Sequence, residues 1–187
     1  KTELGRRPSY LEMYLHSGFY DINIAREFGS YVGMLKQADE LTAEELVAFE
    51  KHEQLLVEIE KTAMTKSYKM VILKGMLERG AANWYKAITA AELAPSFAQY
   101  LANPTRSRID AINPAEKKVI TLIEKMPMTK WSGSSKGLLY FEDGTFGFNV
   151  EIEPEMQEMI YAWVKEICEF RLNRYFARKA EKKGKVN

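Results

Sequence analysis

The chain has 187 residues and a mass of 21.6 kDa, which is the size of one ordinary domain with some extra structure. Hydrophobic residues make up 46% and charged residues 28%, so the composition is that of a folded globular chain and not a disordered one. One cysteine excludes a disulfide framework, two histidines beside it leave no Cys/His zinc site, and no apolar run approaches the ~18 residues of a membrane span.

The net charge of +1 hides a strong asymmetry. Residues 39–61 carry eight acids and two bases, residues 101–136 seven bases and three acids, and residues 171–187 seven bases and one acid. A polyanionic partner is therefore expected on the second half of the chain. The sequence starts at Lys1 without a signal peptide, so a cytoplasmic fragment of a longer protein is expected.

In chain order, residues 8–17 form a short helix, with Pro8 at its first position, Leu11, Tyr14 and Leu15 on one face, and Gly18 ending it. A second helix is expected over 22–38, capped by Asp21, with Gly29 and Gly33 permitting close helix packing. Residues 43–62 give the clearest helix, opened by a Thr42/Glu45 capping box. His52 on it has no second histidine one turn later, because position 56 is Leu, and is expected to be solvated.

A helix over 67–79, capped by Ser67, precedes a β-leaning piece at 84–88 and a helix over 90–102 capped by Thr89 and Glu92. Pro95 should kink or divide that helix. After a polar loop at 103–113 comes a helix from Pro114 to about Met126, stopped by Pro127. A flexible loop at 130–137 then leads to strands 138–142 and 145–152, joined by the hairpin dipeptide Asp143-Gly144. A long amphipathic helix over 155–180 closes the chain, with residues 181–187 frayed. Cys168 lies beside its apolar stripe with no neighbouring histidine to activate it.

The expected fold is mainly α with one β-hairpin. A winged-helix-like core at 63–153 is flanked by an N-terminal helical segment at 1–62 and by the long C-terminal helix and basic tail at 154–187, all in one unit. In a winged helix the third helix enters the DNA major groove and the hairpin reaches the backbone. The third helix here carries Lys117, Lys118, Thr121 and Lys125, the loop before the hairpin carries Lys130, Ser132, Ser134 and Lys136, and the preceding loop carries Arg106 and Arg108. Lysines and small hydroxyl side chains suit phosphate oxygens. The third helix has no Arg and only a cap Asn, which favours positioning over base readout.

Double-stranded DNA is the expected partner, with neither metal nor other cofactor. Two competing readings remain. One is a protein-docking module that uses the acidic 39–61 helix or an apolar patch near Trp131. The other is loose anion binding by the basic tail alone. An enzymatic site is not expected, because the chain has no phosphate-binding Gly-x-x-x-x-Gly-Lys-Ser/Thr loop and no histidine placed to form a dyad.

Three stretches carry a family resemblance: Arg7-Pro8-Ser9-Tyr10-Leu11-Glu12, residues 60–70 (EKTAMTKSYKM), and Met126-Pro127-Met128-Thr129-Lys130-Trp131-Ser132-Gly133. Together they resemble the C-terminal accessory region of large bacterial helicase-like proteins of the DEAD/DEAH type (superfamily 2), related to the helicase subunits of restriction systems. The helix pair around Ser67-Tyr68-Lys69-Met70 and Ile88-Thr89-Ala90-Ala91-Glu92-Leu93 is similar to winged-helix accessory segments of restriction-type enzymes. The resemblance implies a non-catalytic domain that holds DNA near an upstream ATPase motor or docks against the motor's lobes.

Overall fold

The structure is a computed structural model, and it describes residues 5–16 and 24–184. The expectations placed on Gly18, Asp21 and residues 185–187 lie outside those residues. Helix α1 (Tyr10–His16) starts two residues after Pro8. Its cap is Ser9, whose Oγ accepts from the Glu12 N–H at 3.2 Å while the Ser9 N–H donates to Glu12 Oε2 at 2.8 Å.

The single helix expected over 22–38 is two, α2 (Ile24–Glu27) and α3 (Tyr31–Gln37). Gly29 takes a positive φ of 81°, which breaks the run, and Ser30 then caps α3 by accepting from the Gly33 N–H. Gly33 permits a close approach, but to the carbonyl of Phe28 in its own segment and not to another helix.

Helix α4 (Ala43–Lys61) carries the Thr42/Glu45 capping box. Its backbone leaves helical geometry at His52. That residue is buried against Glu153, not solvated, with Nε2 3.5 Å from Glu153 Oε2. Amphipathic spacing misses this because the covering segment comes from a hundred residues further along the chain.

Helix α5 (Tyr68–Leu77) follows. Ser67 makes no capping bond to it, and its N–H and Oγ instead donate to Asp110 at 2.8 and 2.7 Å. The extended piece is shorter than expected, with β1 covering Ile88–Thr89 alone. Trp84 and Tyr85 sit in turns held by Arg79, which donates to the carbonyls of Asn83, Lys86 and Ala87.

Helix α6 (Ala90–Ala102) keeps its capping box and runs through Pro95 in one piece. The polar loop after it holds a short turn of helix, α7 (Pro104–Ser107), capped by Asn103. Helix α8 (Glu116–Ile123) does not stop at Pro127. A π-helical turn (Glu124–Met128) takes up the proline, whose missing N–H leaves a gap in the ladder, and the Thr129 N–H and Oγ1 reach back to the Glu124 carbonyl. The chain then continues as α9 (Thr129–Ser134), where a flexible loop was expected. The fully buried Trp131 anchors it, donating from Nε1 to Glu58 Oε1 of α4 at 2.9 Å. Trp131 itself therefore presents no apolar surface to a partner.

Strands β2 (Leu139–Glu142) and β3 (Thr145–Phe148) form the expected hairpin, with Asp143 and Gly144 at φ 48° and 75°, but β3 ends at Phe148 and not at residue 152. The sheet is antiparallel in the order β1-β3-β2, pairing Ile88 with Phe146 and Leu139 with Phe148. Gly147 has no side chain because the Tyr140 ring lies across it, 2.7–3.0 Å from where a Cβ would sit.

Helix α10 (Gln157–Gly184) is longer than expected, so residues 181–184 are helical. It packs against α4, α5 and α1. Its buried stripe of Ile160, Trp163, Val164, Ile167, Cys168, Phe170 and Leu172 ties the N-terminal helices to the central ones in one core. Each fully buried side chain of this size contributes roughly 1.5–3 kcal/mol. Among the described residues, no helix is long and apolar enough to cross a membrane.

Candidate nucleic-acid interface

Helix α8 buries Val119 and Ile123 and turns Lys117, Lys118 and Thr121 outwards, and Lys125 is exposed in the π-turn that follows. The i, i+4 spacing of Lys117 and Thr121 places them on one face of α8. Met126, expected on the apolar side, is 41% exposed beside them. Lys130, Ser134 and Lys136 are exposed on and after α9, and Ser132 is half-buried. Among the described residues, none of Lys117, Lys118, Lys125, Lys130 and Lys136 lies within ion-pair distance of a carboxylate.

The hydroxyls are less available than the lysines. Thr121 Oγ1 donates to the Lys117 carbonyl at 2.8 Å, Ser132 Oγ to Met128 at 2.9 Å and Ser134 Oγ to Trp131 at 3.3 Å. Each has its proton committed to its own helix and retains only acceptor capacity, which a phosphate cannot use.

Arg106 is also committed. Its guanidinium lies 3.8 Å from the Tyr100 ring centroid and donates to the Tyr100 carbonyl at 3.1 Å, which clamps α7 onto α6. Arg108 is exposed on the same loop. The loop is fixed by Asp110, fully buried, which accepts from Ser67, from the Tyr175 hydroxyl at 2.9 Å and from Lys66 at 3.2 Å. Burial alone would raise the Asp110 carboxyl, but these donors outweigh it and hold the group below its ordinary range. The tip of the hairpin, Glu142 and Asp143, is exposed and acidic.

A second concentration of cations lies along the C-terminal half of α10, where composition gave a basic tail but not its geometry. Arg171 is its half-buried end, donating to the carbonyls of Ile59 and Thr62 at 2.7 and 2.6 Å and so satisfying the last turn of α4. Burial lowers its pKa to about 10, against the opposing pull of Glu60. Burial raises the Glu60 carboxyl, opposed by hydrogen bonds from the Tyr31 N–H and the Tyr10 hydroxyl, both at 2.8 Å. The Tyr10 ring is stacked between Tyr31 and Phe170, with centroids 4.4 and 3.7 Å away. Helical spacing of Arg171, Arg174, Arg178 and Lys182 was the signal in the sequence that marks this surface.

Cys168 is fully enclosed, and burial pushes its thiol up to about 12, so it stays protonated at neutral pH. Among the described residues no cluster of three or more His, Cys, Asp or Glu is placed to hold a metal ion. No family model, curated protein or solved structure matches this chain.

Proposed function

We propose that this chain is a non-catalytic DNA-binding accessory domain of a bacterial helicase or restriction-type protein, built on a winged-helix-like core, with the upstream motor as its second partner. The order α5, β1, α6, α8, β2, β3, with α7 inserted before α8 and the π-turn and α9 before β2, and the β1-β3-β2 sheet support the winged-helix part of the reading. The observation that carries the DNA part is the exposed lysines Lys117 and Lys118 on the third helix of that core, followed by Lys125 in the π-turn and Lys130 on α9. Lysines without carboxylate partners bind phosphates without reading bases, so the contact is mainly to the backbone.

The test is fluorescence anisotropy of a labelled duplex across a salt series. Four neutralised phosphates give a log–log slope near −3.6, a loss of about 150-fold between 50 and 200 mM salt. Lys117→Ala with Lys118→Ala should bring the slope near −1.8 and the loss to about 12-fold. Unchanged affinity and slope in the folded double variant would refute the reading.

One observation favours a second reading, a docking module of the same parent protein. The exposed acids Glu142 and Asp143 stand at the hairpin tip, where a wing would meet phosphate. That reading predicts no duplex binding even at low salt, together with retention of the chain by its upstream motor domains.

A further inference from the structure

Beside α10 the surface folds into a half-open cleft of about 510 Å³, between the C-terminal end of α4, residues 62–64 and the last turns of α10. Its rim is formed by Lys61, Arg174, Arg178, Lys179 and Lys182. Glu60 is the carboxylate among the lining residues, and both its oxygens already accept hydrogen bonds. Among the described residues, none of the five rim cations is within ion-pair distance of a carboxylate.

This clustering works against the helix itself. Arg174 with Arg178, and Arg178 with Lys182, are like charges one turn apart on one face, an arrangement that destabilises a helix unless an anion neutralises it. Bases in the last turn are favoured by the helix dipole. Arg171 and Arg174 stand about three turns before the end of α10, beyond its reach.

Two of the cations are held ready. The Arg174 guanidinium lies 5.7 Å from the Phe170 ring centroid and Lys179 Nζ 5.6 Å from that of Tyr175. The Tyr175 ring is fixed in turn by its hydroxyl on Asp110. With those ring faces covered by cations, the cleft offers no open platform on which a base could stack. Six of the fourteen lining residues are cations and one is an acid, so positive charge dominates the cleft.

We infer that this cleft binds the phosphate backbone of a single nucleic-acid strand, at a site separate from the α8 face. The volume suits a ligand the size of one or two nucleotides and is too small for a duplex. From Arg174 to Lys182 the free cationic row runs about 12 Å along the helix axis, enough for two or three consecutive phosphates. Binding is sequence-independent and salt-sensitive, and it requires nothing of Lys117 or Lys118.

The experiment is anisotropy of a labelled single-stranded deoxythymidine oligonucleotide of about 12 nucleotides, across a salt series, with the full chain. Arg174→Gln, Arg178→Gln and Lys182→Gln together should weaken binding at low salt at least ~10-fold and reduce the slope by about 2, at ~0.7 per lost phosphate contact on a single strand. The Lys117→Ala, Lys118→Ala variant should bind the same oligonucleotide within about twofold of the unaltered chain, whatever it does to duplex binding. A cooperative melting curve with its midpoint at or above that of the unaltered chain confirms that the triple variant is folded. The inference is overturned if the folded triple variant binds as the unaltered chain does. It is equally overturned if an oligoglutamate of matched charge displaces the strand as well as unlabelled oligonucleotide does.

Discussion

Replacing Asp110 should unfasten the segment that leads into α8. Its carboxylate has no solvent exposure and accepts from the Ser67 N–H, Ser67 Oγ, Tyr175 Oη and Lys66 Nζ. Asp110→Ala leaves at least the two Ser67 donors without an acceptor in the interior. A hydrogen bond to a charged group contributes about 1.5–3 kcal/mol net. These bonds share one acceptor group and are not additive, so the expected loss is about 3–5 kcal/mol, as for other broken buried charged networks. At about 2–4 °C per kcal/mol for a domain of this size, the melting temperature should fall by roughly 6–20 °C. Asp110→Asn, which keeps one acceptor oxygen, should lose about half as much.

The pH dependence adds an independent check. The folded-state pKa of Asp110 is depressed, so its contribution is fully present above the unfolded value of about 3.9 and is lost as pH falls through the lower folded value. Urea midpoints of the unaltered chain and of Asp110→Ala should therefore differ by a constant amount between about pH 5 and 7 and converge below about pH 4. An Asp110→Ala variant melting within ~2 °C of the unaltered chain would show that the network holds nothing together.

Two further outcomes follow from local geometry. Gly33→Ala would place a Cβ 2.5 Å from the Phe28 carbonyl oxygen, a backbone atom that cannot swing away, so thermal melts should show a net loss of about 1–2 kcal/mol although alanine is the better helix former; a stabilised variant contradicts the clash. Cys168, enclosed and with its thiol pushed up to about 12, should resist a thiol reagent at neutral pH in the native chain and react at once in denaturant. Rapid labelling of the folded protein would place the cysteine at the surface.

Local signals determined a good part of this molecule. The capping boxes at Thr42 and Thr89, the Asp143-Gly144 turn and the apolar stripe of α10 each lie within a few residues of the atoms they control, so their chemistry can be read directly from the sequence. The exposed face of α8 was legible for the same reason, since helical spacing alone separates Lys117 and Thr121 from Val119 and Ile123. Tertiary structure decided what depends on partners far along the chain. Pro127 reads as a stop until the π-turn absorbs it and Trp131 finds Glu58, 73 residues earlier. His52 reads as solvated until Glu153 covers it, and Ser67 reads as a cap until Asp110 takes its hydroxyl. The cationic cleft belongs to the same class: the charges of α10 were countable, but only the docking of α10 on the end of α4 brings Lys61 opposite Arg174 and Arg178 and turns a basic tail into a concave site. Periodicity specifies which way a side chain faces on its own element, whereas a site with two walls requires the elements to meet.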